Sequence, residues 1–254
     1  MLEHMGLKVI DEVPYAIRPR ETDTDLVMIH DFGMATRDRS AVDVRSARSN
    51  FKDAFGRIWR GEMESDGFNA LVLFAGLNWR EVTVLRAYCK FLRQVGIPFS
   101  QAYMEQTLTN NPRLARLIVN YFQALFDPHR GGDSARRAER VRRELDVALD
   151  AVSSADEDRI LRRFVNAIES TLRTNAFQRD DGAPKERLSL KFDSRALDEL
   201  PLPRPMREIF VYSARVEGVH LRFGLVARGG LRWSDRPEDF RTEVLGLAKA
   251  QQVK

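Results

Sequence analysis

The chain has 254 residues, 43% hydrophobic and 31% charged, ordinary proportions for a packed soluble protein of one large domain or two to three small ones. Its net charge of +4 is spread along the sequence, which is weak support for a nucleic-acid partner. The basic residues are 34 arginines and seven lysines, a bias that suits bidentate carboxylate or phosphate contacts but also follows from genome composition alone.

The single cysteine, Cys89, rules out an internal disulfide, fits a reducing compartment, and lies in a helical apolar pattern where it packs as a small hydrophobe. No basic stretch followed by an apolar run marks a signal peptide, and no apolar run is long enough to span a bilayer. These features point to a cytoplasmic protein with no membrane partner.

Residues 2–36 read as two strands. Leu7, Val9 and Ile10 begin the first, residues 18–24 form a polar turn, and the nearly continuous apolar run from Leu26 to Phe32 predicts a strand buried on both faces. Two strands cannot make an independent domain, so residues 1–38 look like the remnant of a larger β module. From Val44 the period becomes helical. Val44, Ala47, Phe51, Ala54, Phe55 and Ile58 form one stripe, and Gly61 ends it. Asn78 caps the next helix, whose stripe runs from Val82 to Val95 and closes at Gly96-Ile97-Pro98. A short helix starts near Ser100. Asn111-Pro112 opens another, with a stripe from Leu114 to Leu125 that Asp127-Pro128 stops.

Residues 129–133 are a polar linker. The basic run Arg136 to Arg143 reads as a solvated helix face, because Val141, Leu145, Ala148, Leu149 and Val152 supply a buried side; nucleic-acid binding would need interleaved aromatics. Ser154 then caps a helix with Asp156, Glu157 and Asp158 in its first turn and a stripe from Ile160 to Leu172. Residues 175–187 form a second boundary. Beyond it the period is two, with strands at Leu188–Phe192, Ile209–Tyr212 and Val219–Phe223. The fold class is therefore α+β or mixed: a β remnant over 1–38, a helical bundle over 39–180, and the start of an α/β domain with a mixed sheet over 186–254.

The last segment holds the chemistry. Arg228, Gly230 and Arg232 share one face of an extended chain, and Gly229-Gly230 lets the backbone approach a ligand or turn with positive φ. Pro237 starts a helix whose inward stripe is Phe240, Val244, Leu247, Ala248 and Gln251. Lys254 continues that stripe while Lys249 faces away; a lysine on a buried face calls for an anionic partner, unless it is an end-of-helix cation favoured by the dipole or snorkels out to solvent. The four histidines do not assemble a metal site: His30 beside Asp31 suggests local hydrogen bonding, and His220 faces outward.

The run Ala227-Arg-Gly-Gly-Leu-Arg-Trp-Ser-Asp-Arg236, followed by Glu238-Asp-Phe-Arg-Thr-Glu-Val-Leu-Gly-Leu-Ala-Lys-Ala-Gln-Gln-Val-Lys254, resembles the start of the catalytic region of the very long-chain NAD-specific glutamate dehydrogenases. Met5–Tyr15 and Ile29–Gly33 resemble the end of an ACT-like regulatory region, and Phe68–Val82 resembles the helical region that follows it. The resemblance implies oxidative deamination of L-glutamate to 2-oxoglutarate and ammonia, NAD as cofactor, and a homo-oligomeric parent enzyme. It assigns Arg228 to the position of a lysine that pairs with the substrate's side-chain carboxylate, and Lys254 to the lysine that holds the α-carboxylate. Gly229 and Gly230 line the same turn, and Arg232 supports these groups without touching the substrate. Trp233, Ser234 and Asp235 receive no direct role. The catalytic lysine, the acid–base aspartate and the Gly-x-Gly-x-x-Gly loop of that family do not occur in this sequence, so the chain reads as a fragment, inactive alone. The competing reading is a regulatory or oligomerisation scaffold without catalysis.

Overall fold

A computed structural model describes residues 1–18, 26–37, 43–232 and 240–252. The chain opens on an antiparallel hairpin, β1 (Leu7–Ile17) paired with β2 (Val27–Thr36). Seven helices follow: α1 (Val44–Trp59), α2 (Leu71–Phe74), α3 (Trp79–Gln94), α4 (Gln101–Asn110), α5 (Pro112–Phe126), α6 (Ser134–Asp150) and α7 (Ala155–Glu169). Then come β3 (Thr171–Thr174), the two-residue strands β4 (Arg179–Asp180) and β5 (Ala183–Pro184), β6 (Leu188–Phe192), β7 (Arg207–Tyr212), β8 (Glu217–Phe223) and β9 (Val226–Arg232), with α8 (Phe240–Gln252) last. The fold is mixed α and β.

The helix signals are those the sequence carries. Asn78 Oδ1 accepts from the backbone N–H groups of Arg80 (2.9 Å) and Glu81 (3.0 Å), and Glu81 Oε2 accepts from Asn78 N (2.9 Å), so both ends of a capping box close on α3. Ser154 caps α7, and Pro112 occupies the first turn of α5. Helix α3 is buried along most of its length and carries the central aromatic contacts: Phe91 stacks on Phe192 of the sheet at 3.9 Å, and Tyr88 meets Phe122 and Phe192 edge-on. Cys89 is fully buried beside Met104. One continuous apolar core thus runs from the helices into the sheet.

A polar network crosses this core. The fully buried Arg86 donates from Nε and Nη2 to the two carboxylate oxygens of Asp66, each at 2.7 Å, and from Nη2 to Asn69 at 2.6 Å. Nearby, Tyr212 donates to Glu64 at 2.6 Å. The basic face of α6 is engaged in ion pairs, Arg142 with Asp146 and Glu169 and Arg136 with Asp133.

The larger sheet has five strands in the order β3-β6-β7-β8-β9, and all its pairs are antiparallel; the parallel pairing of a mixed sheet is not among the described strands. Three expectations about burial change. The Leu26–Phe32 run is not buried on both faces: Val27, Met28 and Ile29 are 44–49% exposed, because no described element covers the faces of the hairpin. Leu125 lies at the rim of the α5 stripe and is exposed, as is Leu172, which has left the helix for β3. Among the described residues no helix is long and apolar enough to cross a membrane.

Candidate functional site

The candidate site is built on β8, β9 and α8. Strand β8 turns at Gly224, whose φ of 69° requires glycine, and returns as β9 at the edge of the sheet. The glycine pair is therefore not the turn. Gly229 and Gly230 lie inside β9, opposite His220 and Val219, with no positive φ. Their small size serves close approach instead. A Cβ at Gly229 would sit 2.7 Å from the Val219 carbonyl oxygen, and one at Gly230 would meet the Phe240 ring of α8 at 3.4 Å.

Alternation puts Arg228, Gly230 and Arg232 on one face of β9, the face that α8 packs against. Arg232 forms an ion pair with Glu243 of α8, and its guanidinium lies 5.9 Å from the Phe240 ring. Arg228 differs. Its Nη1 donates to the carbonyl of the adjacent Ala227 at 3.0 Å, and it has no carboxylate partner among the described residues. An arginine backed by glycines on an open sheet edge has both the charge and the fork geometry to receive a carboxylate.

Helix α8 is rotated from its predicted register. Its buried residues are Phe240, Arg241, Val244, Leu245 and Ala248, whereas Leu247 is 60% exposed and Gln251 also faces solvent. The shift has a cause in Arg241, which the apolar pattern passed over. Arg241 is 3% exposed and donates from Nε and Nη2 to the two oxygens of Glu208, each at 2.7 Å; Glu208 is itself 1% exposed. The backbone N–H of Arg241 donates to Gln94 at the end of α3, and Gln94 donates in turn to Glu217 of β8. This clamp ties the first turn of α8 to the sheet and to the central helix. One signal for it was present in the sequence: Glu208 precedes Phe210 and Tyr212 at the inward positions of β7, where a charge is found only when paired.

Lys254, the other predicted carboxylate partner, lies outside the described residues, as do Trp233, Ser234, Asp235 and the predicted Pro237 helix start. The histidines stand apart, His30 with cross-strand Glu12 at 2.5 Å and His220 exposed on β8. Among the described residues, no group of three or more His, Cys, Asp or Glu side chains could hold a metal.

Three family models match the chain in succession: the ACT3 domain of glutamate dehydrogenase over residues 1–47, its helical motif 3 over 63–128, and the catalytic domain of bacterial NAD-glutamate dehydrogenase over 144–254. The chain is 48% identical over 263 residues to a protein of Mycobacterium tuberculosis named NAD-specific glutamate dehydrogenase. It is 46% identical to proteins of the same name from Halomonas elongata (256 residues) and Pseudomonas aeruginosa (258 residues). Each match covers 100% of this chain and 16% of the relative, so the chain spans about one-sixth of the length of the curated relatives it matches. With three glutamate dehydrogenase models matched in succession and 46–48% identity to relatives across its whole length, the chain belongs to the NAD-specific glutamate dehydrogenase family.

Proposed function

We propose that this chain supplies the carboxylate-holding part of the glutamate site in an NAD-dependent glutamate dehydrogenase that interconverts L-glutamate with 2-oxoglutarate and ammonia. The observation that carries the proposal is Arg228, a guanidinium on the open edge strand with no acidic partner among the described residues. A dicarboxylate needs two cationic handles. Arg228 takes the side-chain carboxylate and Lys254 the α-carboxylate, with Gly229 and Gly230 keeping the strand low beneath the substrate and Arg232 holding α8 through Glu243. The Glu208–Arg241 clamp fixes the first turn of α8.

NAD is the hydride acceptor in this reading, but the described residues do not fit it. All their strand pairs are antiparallel, so no β-α-β crossover presents a helix N-terminus to a pyrophosphate, and the sequence has no Gly-x-Gly-x-x-Gly loop. Nicotinamide contacts and the catalytic lysine therefore come from other parts of the enzyme, and the 254-residue chain alone makes no NADH from glutamate and NAD. The division into an ACT-like part (1–38), a helical part (39–180) and a substrate-domain part (186–254) belongs to the same proposal. The test is Arg228→Ala in the full-length enzyme. It should raise the Michaelis constant for glutamate by tenfold or more while leaving that for NAD near its original value; an unchanged glutamate constant refutes the role of Arg228.

A further inference from the structure

A cavity of about 580 Å³ opens at the N-terminal end of α3, between that helix, α5 and the β4–β5 hairpin, well away from β9 and α8. Its size is in the range of small-molecule sites, roughly 300–1,000 Å³. The inner wall is apolar: Phe122 of α5 stacks on Phe177 at 5.7 Å, with Val84 and Val119 beside them. The remaining wall is polar, and its charges are unbalanced.

Two carboxylates line the cavity, and both are engaged elsewhere. Glu81 accepts from Arg116 at 3.2 Å, from Gln123 at 2.7 Å and from the Asn78 backbone at 2.9 Å. Asp127 pairs with Arg130 at 3.3 Å and accepts from the His129 backbone at 3.0 Å. The cations have no such partners. Arg179 spends Nη1 on the Gly182 carbonyl at 2.8 Å, and Arg80 has no acid at all among the described residues. In Arg80 the Nε and Nη2 atoms are buried without a hydrogen-bond partner. Those two nitrogens form the side-on edge of the guanidinium, the edge that binds a carboxylate or phosphate with two parallel hydrogen bonds. Arg80 itself lines the cavity.

The surroundings of Arg80 compound its cost. It is the second residue of α3, at the positive end of the helix dipole. The Trp79 ring centroid has the Arg57 guanidinium 3.8 Å away and that of Arg80 5.8 Å away. Burial, aided by the charge of Arg57, pushes the Arg80 pKa down to about 10, which still leaves it protonated at neutral pH. A half-buried cation whose Nε and Nη2 are shielded from solvent and unpaired, at a positive helix end, opposes folding unless an anion joins it.

We propose that this cavity is a second ligand site, for a small organic anion whose carboxylate or phosphate head pairs with Arg80 and Arg179 and whose planar apolar body packs against Phe122 and Phe177. The site shares no residue with the proposed glutamate handles and would stand if they failed. The test uses benzoate and inorganic phosphate as probes and benzamide as the neutral counterpart of benzoate. Binding to the 254-residue chain is followed by calorimetry and by the Trp79 indole N–H resonance. Benzoate or phosphate should bind saturably and shift that resonance, benzamide should not, and Arg80→Met and Arg179→Gln should each weaken binding by roughly tenfold or more. Arg80→Met keeps the packing of the stem and removes the charge, so its Tm without ligand should equal or exceed that of the parent. Three results each overturn the proposal: failure of both anions to saturate, equal binding of benzoate and benzamide, or parental affinity in Arg80→Met. A lower Tm in Arg80→Met also overturns it, since the guanidinium would then have a structural partner.

Discussion

Removing the Glu208 carboxylate while leaving Arg241 in place tests how α8 is held. Both side chains are almost fully buried, at 1% and 3% exposure, and two 2.7 Å contacts join them side-on. Both groups are shielded from solvent, so Glu208→Ala strands a guanidinium in the core at a cost of about 3–5 kcal/mol. That is a large share of the roughly 5–15 kcal/mol that stabilises a typical domain. Glu208→Gln keeps the shape and one acceptor and should cost about half as much. The informative variant is the pair Glu208→Met with Arg241→Met. With both charges gone no group is left unpaired, and the double variant should be more stable than Glu208→Ala by about 2 kcal/mol or more. Urea denaturation followed by circular dichroism gives the three values. A Glu208→Ala cost below about 1 kcal/mol, or a double variant less stable than Glu208→Ala, would refute the clamp.

Gly229→Ala forces a Cβ to 2.7 Å from a backbone oxygen and should cost about 1–3 kcal/mol by thermal denaturation, while Gly230→Ala meets only a ring edge at 3.4 Å and should cost less; the reverse order would contradict the packing of β9. Asp66→Ala orphans the buried Arg86 and should destabilise the chain by about 3–5 kcal/mol, and a surface-like effect in the same assay would show that Asn69 suffices. Burial pushes the Tyr88 and Tyr212 hydroxyls upward and Tyr121 up to about 12. With folded pKa values above the unfolded value of about 10, these groups contribute stability that is present below pH 10 and lost as pH rises beyond it. Phenolate absorbance should accordingly show Tyr88 and Tyr212 ionising only as the chain unfolds; five tyrosines titrating reversibly near pH 10 would contradict their burial.

Much of the fold was legible because local signals and packing agree. Asn78, Ser100, Pro112 and Ser154 sit where their capping or N-terminal roles place them, and Leu188, Leu190 and Phe192 alternate inward as their period of two implies. The hairpin misled because an apolar run reports what a strand can bury, not whether anything lies on it. The site was half legible. Arg228, Gly230 and Arg232 do share a face, yet the glycines are a strand packed closely on its neighbours rather than a turn, a distinction that depends on where β8 reverses. Arg241 was invisible to a pattern that treats charge as outward. Arg80 escaped for a related reason: beside a tryptophan in a helix's first turn it resembles any solvated arginine until its missing partners are known.

The most direct test of the account compares two substrates in the full-length enzyme. Norvaline has the α-amino acid group and chain length of glutamate but no side-chain carboxylate, so only glutamate can use Arg228. Arg228→Met should lower kcat/KM for glutamate by about a hundredfold and leave that for norvaline within a few-fold, collapsing the preference between them. Lys254→Met, by contrast, should lower both together. Equal losses for the two substrates in Arg228→Met, or none, would contradict the assignment of Arg228 to the side-chain carboxylate.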